Sequence, residues 1–150
     1  MVTQIDTKTL YEQDFCLWAK KMTDLLKNRQ LEQLDYENLI EEIESMSGSQ
    51  RQALSSNLRV LLVHLLKWKY QPNKRTNSWS SSIIEHCSRL LDAFDNSPSL
   101  KRHFEKVLDP SYQTARKIAA KETGLSITIF PAENPFKVED ILNPDYLPED

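Results

Sequence analysis

Apolar residues recur at Tyr11, Phe15, Trp18, Met22 and Leu25, in steps of three and four that place one aromatic-rich stripe on a single helix of about five turns. Its end is expected near Asn28 or Gln30, after Lys27 and Arg29, whose charges suit a helix C-terminus. Asp35 is a good N-cap for a second helix, with acids in its first turn and Leu39, Ile40, Ile43 and Met46 at helical spacing. Gly48, between Ser47 and Ser49, predicts a break or sharp bend, since glycine costs a helix about 1 kcal/mol relative to alanine and either serine can cap a new start.

A third helix is expected from about Gln50 to Tyr70, with Leu54, Leu58, Leu61, Leu65 and Trp68 on one line. Its middle stretch VLLVHLL is apolar nearly all round and belongs at the centre of a bundle. Pro72 ends it. After the loop PNKRTNS, Trp79, Ile83, Cys87, Leu90 and Phe94 mark a fourth helix, stopped by Asn96, Ser97 and Pro98. Leu100 to Leu108 suggests a short fifth helix and Pro110 to Thr123 a sixth, with Pro110 in the first turn and Gly124 as terminator. SITIFP could form one short strand, for which the chain offers no convincing partner. The tail, with Pro131, Pro135, Pro144 and Pro148 around a helical turn at Val138, Ile141 and Leu142, reads as an extended strap. The expected fold is therefore all-α: one domain over 1–150, a compact bundle of about five to six helices at about 10–124, then a Pro-rich C-terminal strap at about 125–150.

Composition narrows the function classes. At 150 residues, with 39% hydrophobic and 27% charged residues, the chain has material for one core and enough charge to remain in solution. It carries no apolar run of about eighteen residues and no basic-then-apolar leader at its N-terminus, so a cytoplasmic protein without membrane contact is expected. Cys16 and Cys87 sit inside apolar helical patterns, away from any Cys/His cluster, and read as reduced core thiols. Two glycines are too few for the phosphate-cradling loops of nucleotide-binding folds, and no cofactor is expected.

The net charge of −3 is unevenly spread. Between Glu32 and Glu44 every charge is negative, whereas Arg51, Arg59, Lys67, Lys69, Lys74 and Arg75 lie in a stretch from Ser45 to Ile84 without an acid. A chain reversal at Gly48 would set Glu44 opposite Arg51 and Glu37 opposite Arg59. That places Glu37, Glu41, Glu44, Arg51, Arg59 and His64 in a candidate buried polar network. Without the bend, the second and third helices merge into one rod of about 50 Å, which favours a homodimer.

A second candidate interleaves cations with aromatics: Lys67, Trp68, Lys69, Tyr70, Lys74, Arg75 and Trp79. Such a cluster can hold phosphates while bases stack on open rings, against the competing reading of Trp68 and Trp79 as core anchors. Nucleic acid is the less favoured partner, because the whole chain is acidic. A third candidate is a metal-dependent helical-bundle enzyme using His64, His86 or His103 with Glu37, Glu41 or Glu85. The chain has no Glu-x-x-His pair on a helix and the histidines fall on separate elements, so a hydrogen-bonded core role for His64 is preferred and no metal is expected. Ser78 to Ser82 lacks any acid/base partner and reads as helix capping.

The segments DYENLIEEIESM, LRVLLVHLLKWKYQP and ETGLSITIFPAENPF, with a Trp opening the helix after the second, resemble the helical family called domain of unknown function twenty-nine, abundant in cyanobacteria. The resemblance runs from Tyr11 to Pro148, and HLLKWKYQP at His64 to Pro72 is its most specific part. It implies a mostly helical cytoplasmic protein, often present as several paralogues, with no established activity or ligand. The residues themselves favour a non-catalytic binding or regulatory module for a protein partner, with polyanion binding and metal-dependent catalysis as the alternatives.

Overall fold

A computed structural model of the chain describes residues 6–149. Every regular element among them is helical, and no strand occurs. Where the apolar spacing predicts one N-terminal helix there are two, α1 (Thr7–Gln13) and α2 (Phe15–Lys27). Asp14 separates them. Its φ of −151° leaves the helical region, its N–H donates to the Leu10 carbonyl at 2.8 Å to close α1, and its carboxylate accepts the Leu17 N–H at 3.0 Å to open α2. A short acidic side chain competes well for backbone donors, and here that competition overrides the periodicity.

Asp35 begins α3 (Tyr36–Tyr70) as the cap expected from the sequence, and it does more. Only 3% exposed, its carboxylate accepts from Trp18 Nε1 at 3.1 Å and from Asn38 Nδ2 at 2.7 Å. The first turn of α2 and the start of α3 are thereby tied together around Leu10, Trp18, Met22 and Leu25, with Leu34 and Leu39 packed alongside.

The expected break at Ser47–Ser49 does not occur: α3 is one helix of 35 residues. Glycine's cost of about 1 kcal/mol is too small to stop a helix whose neighbours on both sides are already nucleated. Ser47 helps by turning its hydroxyl back to the Glu44 carbonyl at 3.2 Å instead of starting a new cap. The hairpin therefore has no structural basis, because Glu37 and Arg59 belong to the same unbroken helix.

Residue contacts divide the chain into two compact units, Met1–Ser49 and Gln50–Asp150. Each has its own apolar cluster, in place of the single core expected. In the second unit Leu58, Leu62 and Leu66 of α3 are completely buried against α4 (Asn77–Asn96) and α5 (Leu100–Thr123). Thr76 caps α4 by accepting the Trp79 N–H at 3.1 Å. The two short helices expected after Leu100 are one, with Pro110 inside it. An interior proline costs about 3 kcal/mol. Pro110 itself is exposed, while Phe104, Tyr112, Ala115 and Ala119 form a buried face running past it, and that burial offsets the missing amide. Gly124 ends α5 in the left-handed region at φ +74°, donating to the Ala120 carbonyl at 3.0 Å.

SITIFP makes a 3₁₀ turn at Ile127–Ile129 and no strand. Its neighbours are held by α5: Tyr112 Oη donates to the Pro131 carbonyl at 2.5 Å, Arg116 Nε to Phe130 at 2.9 Å and Gln113 Nε2 to Ala132 at 2.8 Å. Phe130, Phe136 and Ile141, the last in α6 (Val138–Ile141), complete the second cluster.

The two glycines should respond oppositely to alanine. Gly48→Ala, inside a helix, is expected to raise unfolding free energy by about 0.5–1 kcal/mol, whereas Gly124→Ala, at positive φ, should lower it by about 1 kcal/mol. Urea unfolding measures both, and a loss of stability for Gly48→Ala would contradict the continuous α3.

Candidate functional site

The end of α3, the turn after it and the start of α4 bring the basic-aromatic residues together, and they engage one another. Lys67 Nζ lies 3.0 Å from Glu122 Oε2 and 4.8 Å from the centre of the Trp79 ring. Arg75 Nε donates to the Trp68 carbonyl at 2.9 Å, and its guanidinium stands 5.1 Å from the Trp68 ring. Lys69 lies 6.0 Å from the Tyr70 ring, and Tyr70 packs edge-on against Phe130 at 5.6 Å. Trp68 and Trp79 are both half-buried, and Trp68 and Tyr70 lean on the core. Lys74 is exposed in the 3₁₀ turn Pro72–Lys74, beside a shallow cavity of about 250 Å³ that Tyr70, Gln71 and Leu125 also line. A base stacks only on an uncovered ring, and here cations already occupy faces of Trp68 and Trp79.

His64 is half-buried, with Nδ1 2.9 Å from the Val60 carbonyl. That contact puts the proton on Nδ1 and leaves Nε2 as a lone pair. Burial holds the His64 pKa below the usual imidazole value, against a smaller opposing effect of the Val60 hydrogen bond. His64 and Glu122 share a cavity of about 210 Å³ with Arg59, Val60, Val63 and Ile118. Glu122 is exposed and its carboxylate is held by Lys67, so this cavity opens to solvent at its acidic end. His86 turns Nδ1 to the Ser82 carbonyl at 2.8 Å, and His103 faces the Ser55 hydroxyl at 3.4 Å. Among the described residues no three His, Cys, Asp or Glu side chains converge as metal ligands would.

The candidate buried network is overturned. Glu37, Glu41, Glu44 and Arg51 are exposed, and Arg59 and His64 half-buried, because no second helix folds back over α3 at Gly48. Glu37 instead pairs with Lys8 at 3.0 Å, and Tyr11 donates a hydrogen bond to Glu42 that holds the phenol pKa up to about 12.

The structure adds a feature that helical spacing alone leaves open. Tyr36, Ile40, Ile43 and Met46 are 53%, 53%, 64% and 68% exposed. They form an apolar stripe at helical spacing with Glu37, Glu41 and Glu44 beside it. Periodicity reveals such a stripe without saying whether anything covers it. The surrounding acids were the available signal: this half of α3 is apolar along a narrow line only, unlike VLLVHLL.

A family model described as "Domain of unknown function DUF29" matches residues 10–147. No curated protein and no solved structure matches the chain.

The depressed His64 pKa fixes a pH dependence. The unfolded imidazole takes up its proton near pH 6.5, before the native one, so the His64 contribution to stability is complete above that pH and is lost as pH falls through 6.5 toward the native pKa. Chemical unfolding across pH 5–7.5 is expected to show a stability slope that His64→Gln reduces, and an NMR titration should place the His64 midpoint below 6.5. A midpoint at or above 6.5 would refute the assigned environment.

Proposed function

We propose that this chain, which belongs to the family Domain of unknown function DUF29, is a non-catalytic helical binding module that engages a protein through the apolar stripe on the first half of α3. The observation that carries this reading is the exposure of Ile43 and Met46, 64% and 68%, on one line with Tyr36 and Ile40. The first unit builds its cluster from Leu10, Trp18, Met22 and Leu25 with Leu34 and Leu39, and leaves this line unused. Scattered apolar side chains on a surface are ordinary, whereas four large ones aligned over three helical turns are the anchor pattern by which helices dock on other helices or grooves.

The other two classes have weaker support. Ring faces in the Lys67–Trp79 region carry cations of the same chain, and the His64 cavity pairs its carboxylate with a lysine. No helix of the described residues is long and apolar enough to cross a membrane. Cys87 is buried as expected of a core thiol whereas Cys16 is exposed, and both, outside any disulfide, suit work in the reducing cytoplasm.

A photo-crosslinking residue in place of Met46, used in living cells, is expected to trap a protein in a defined adduct, and the same residue in place of Lys20 to trap none. Adding Ile40→Lys and Ile43→Lys should abolish the adduct while changing the stability of the dilute protein by no more than about 0.5 kcal/mol per site. If Met46 yields no protein adduct, the stripe is not a docking face and the reading fails.

A further inference from the structure

We infer that the stripe on the first half of α3 receives a basic amphipathic helix of a protein partner, one with an apolar line of its own and lysine or arginine along one flank. The inference rests on the reading of the stripe as a docking face and names the chemistry of what docks there. All the residues that carry it lie in the first unit, within one stretch of one helix. Tyr36, Ile40 and Ile43 are each followed directly by an acid, Glu37, Glu41 and Glu44. One residue is about 100° of helix rotation, so the three acids form a second line beside the first, at the same steps of four and three.

The acids are open to a partner. Glu37, Glu41 and Glu44 are exposed. Lys8 meets Glu37 at 3.0 Å in a solvent-exposed pair, and among the described residues Glu41 and Glu44 form no ion pair. No lysine or arginine occurs from Gln30 to Ser49, so nothing on this stretch of chain repels an approaching cation. The other side of the stripe is already used within the unit, where Leu39 packs on the first cluster and Glu42 accepts the Tyr11 hydroxyl. An incoming segment therefore meets apolar side chains and, on the open side, carboxylates. A cationic flank is attracted there and an acidic one repelled.

The shape of the face selects a helix. From Tyr36 to Met46 the line runs straight along α3 for about 15 Å, at 1.5 Å per residue. Inside α3 the backbone N–H and C=O groups bond to one another, so an extended partner finds no strand edge to join. A helix laid alongside covers such a line with residues at its own spacing of three and four. The long stems of lysine or arginine on its flank can lie against Ile40 and Ile43 while their charged ends reach Glu41 and Glu44. About three turns of partner helix span the stripe.

Two synthetic peptides of about five helical turns test this on the full chain, both with leucine at helical spacing, one with lysine and the other with glutamate along the flank. In fluorescence anisotropy at low salt the basic peptide is expected to bind at least about tenfold more tightly than the acidic one. Glu41→Lys with Glu44→Lys should remove that preference. Ile43→Asp should weaken the basic peptide by at least about tenfold although it adds a negative charge. General attraction to an acidic surface would strengthen in that variant, so its weakening separates docking from charge alone. Far-UV circular dichroism confirms that each variant keeps its helices, and Ile43→Ser, which general attraction would leave unchanged, replaces Ile43→Asp if that variant does not. Equal binding of the two peptides overturns the proposal, as does binding of neither or binding indifferent to Ile43. A Met46 adduct formed in cells by a chain that binds neither peptide would leave the docking face standing and remove the basic helix as its occupant. An adduct joining two copies of this chain would do the same.

Discussion

The unbroken hydrogen-bond ladder of α3, from Tyr36 to Tyr70, is the element on which both apolar clusters are built. Leu39 contributes to the first cluster, and Leu54 through Leu66 form the largest share of the second. A helix this long is inexpensive once started, because the unfavourable ordering of its first turn is incurred once and every later residue adds a bond. Starting it is the task of Asp35, whose buried carboxylate holds Trp18 and Asn38 while its backbone amide faces Met22 Sδ at 3.4 Å. Among the described residues no buried side-chain nitrogen or oxygen lacks a partner, so the acid's burial is compensated by its hydrogen bonds.

What the sequence made legible divides by the range of the interactions involved. Asp35, Pro72 and Gly124 act on the backbone within a few residues of themselves, and each marks the boundary expected of it. Gly48 and Pro110 carry local penalties of about 1 and 3 kcal/mol. Those penalties compete with the burial of whole helix faces that a local reading cannot weigh, and both residues lie inside helices. Asp14 is the reverse case: periodicity runs through it, but its carboxylate wins two helix ends from the backbone. The gathering of Lys67, Trp68, Tyr70, Arg75 and Trp79 was readable because a helix end, a short turn and the next helix start are necessarily close. Which ring faces the cations would cover depended on the packing of α3 against α4 and was not.

Three of the shifted ionisable groups serve the packing of the second unit. Tyr112 is pushed up to about 12 mainly by burial, and its hydroxyl fastens the Pro131 carbonyl. Burial likewise raises the Cys87 thiol, which donates to the Ile141 carbonyl at 3.3 Å, and lowers His64. Each of these shifts follows from a group serving as a packing or fastening element, and the three groups lie at separate points of the fold.

The charge blocks and the apolar stripe become parts of one design once α3 is continuous. Had the chain turned at Gly48, the acids of 32–44 would have met the bases of 51–59 in the same molecule, and Ile40 and Ile43 would have been covered by the returning helix. With no turn at Gly48 no returning helix covers Ile40, Ile43 and Met46, and they remain exposed. Full burial of a side chain such as isoleucine or methionine is worth about 1.5–3 kcal/mol, so Ile40, Ile43 and Met46 together represent a driving force that exposed ion pairs of about 0–1 kcal/mol each cannot supply. The apolar line is therefore the larger unused store of free energy on this half of α3, and the exposed charges beside it the smaller.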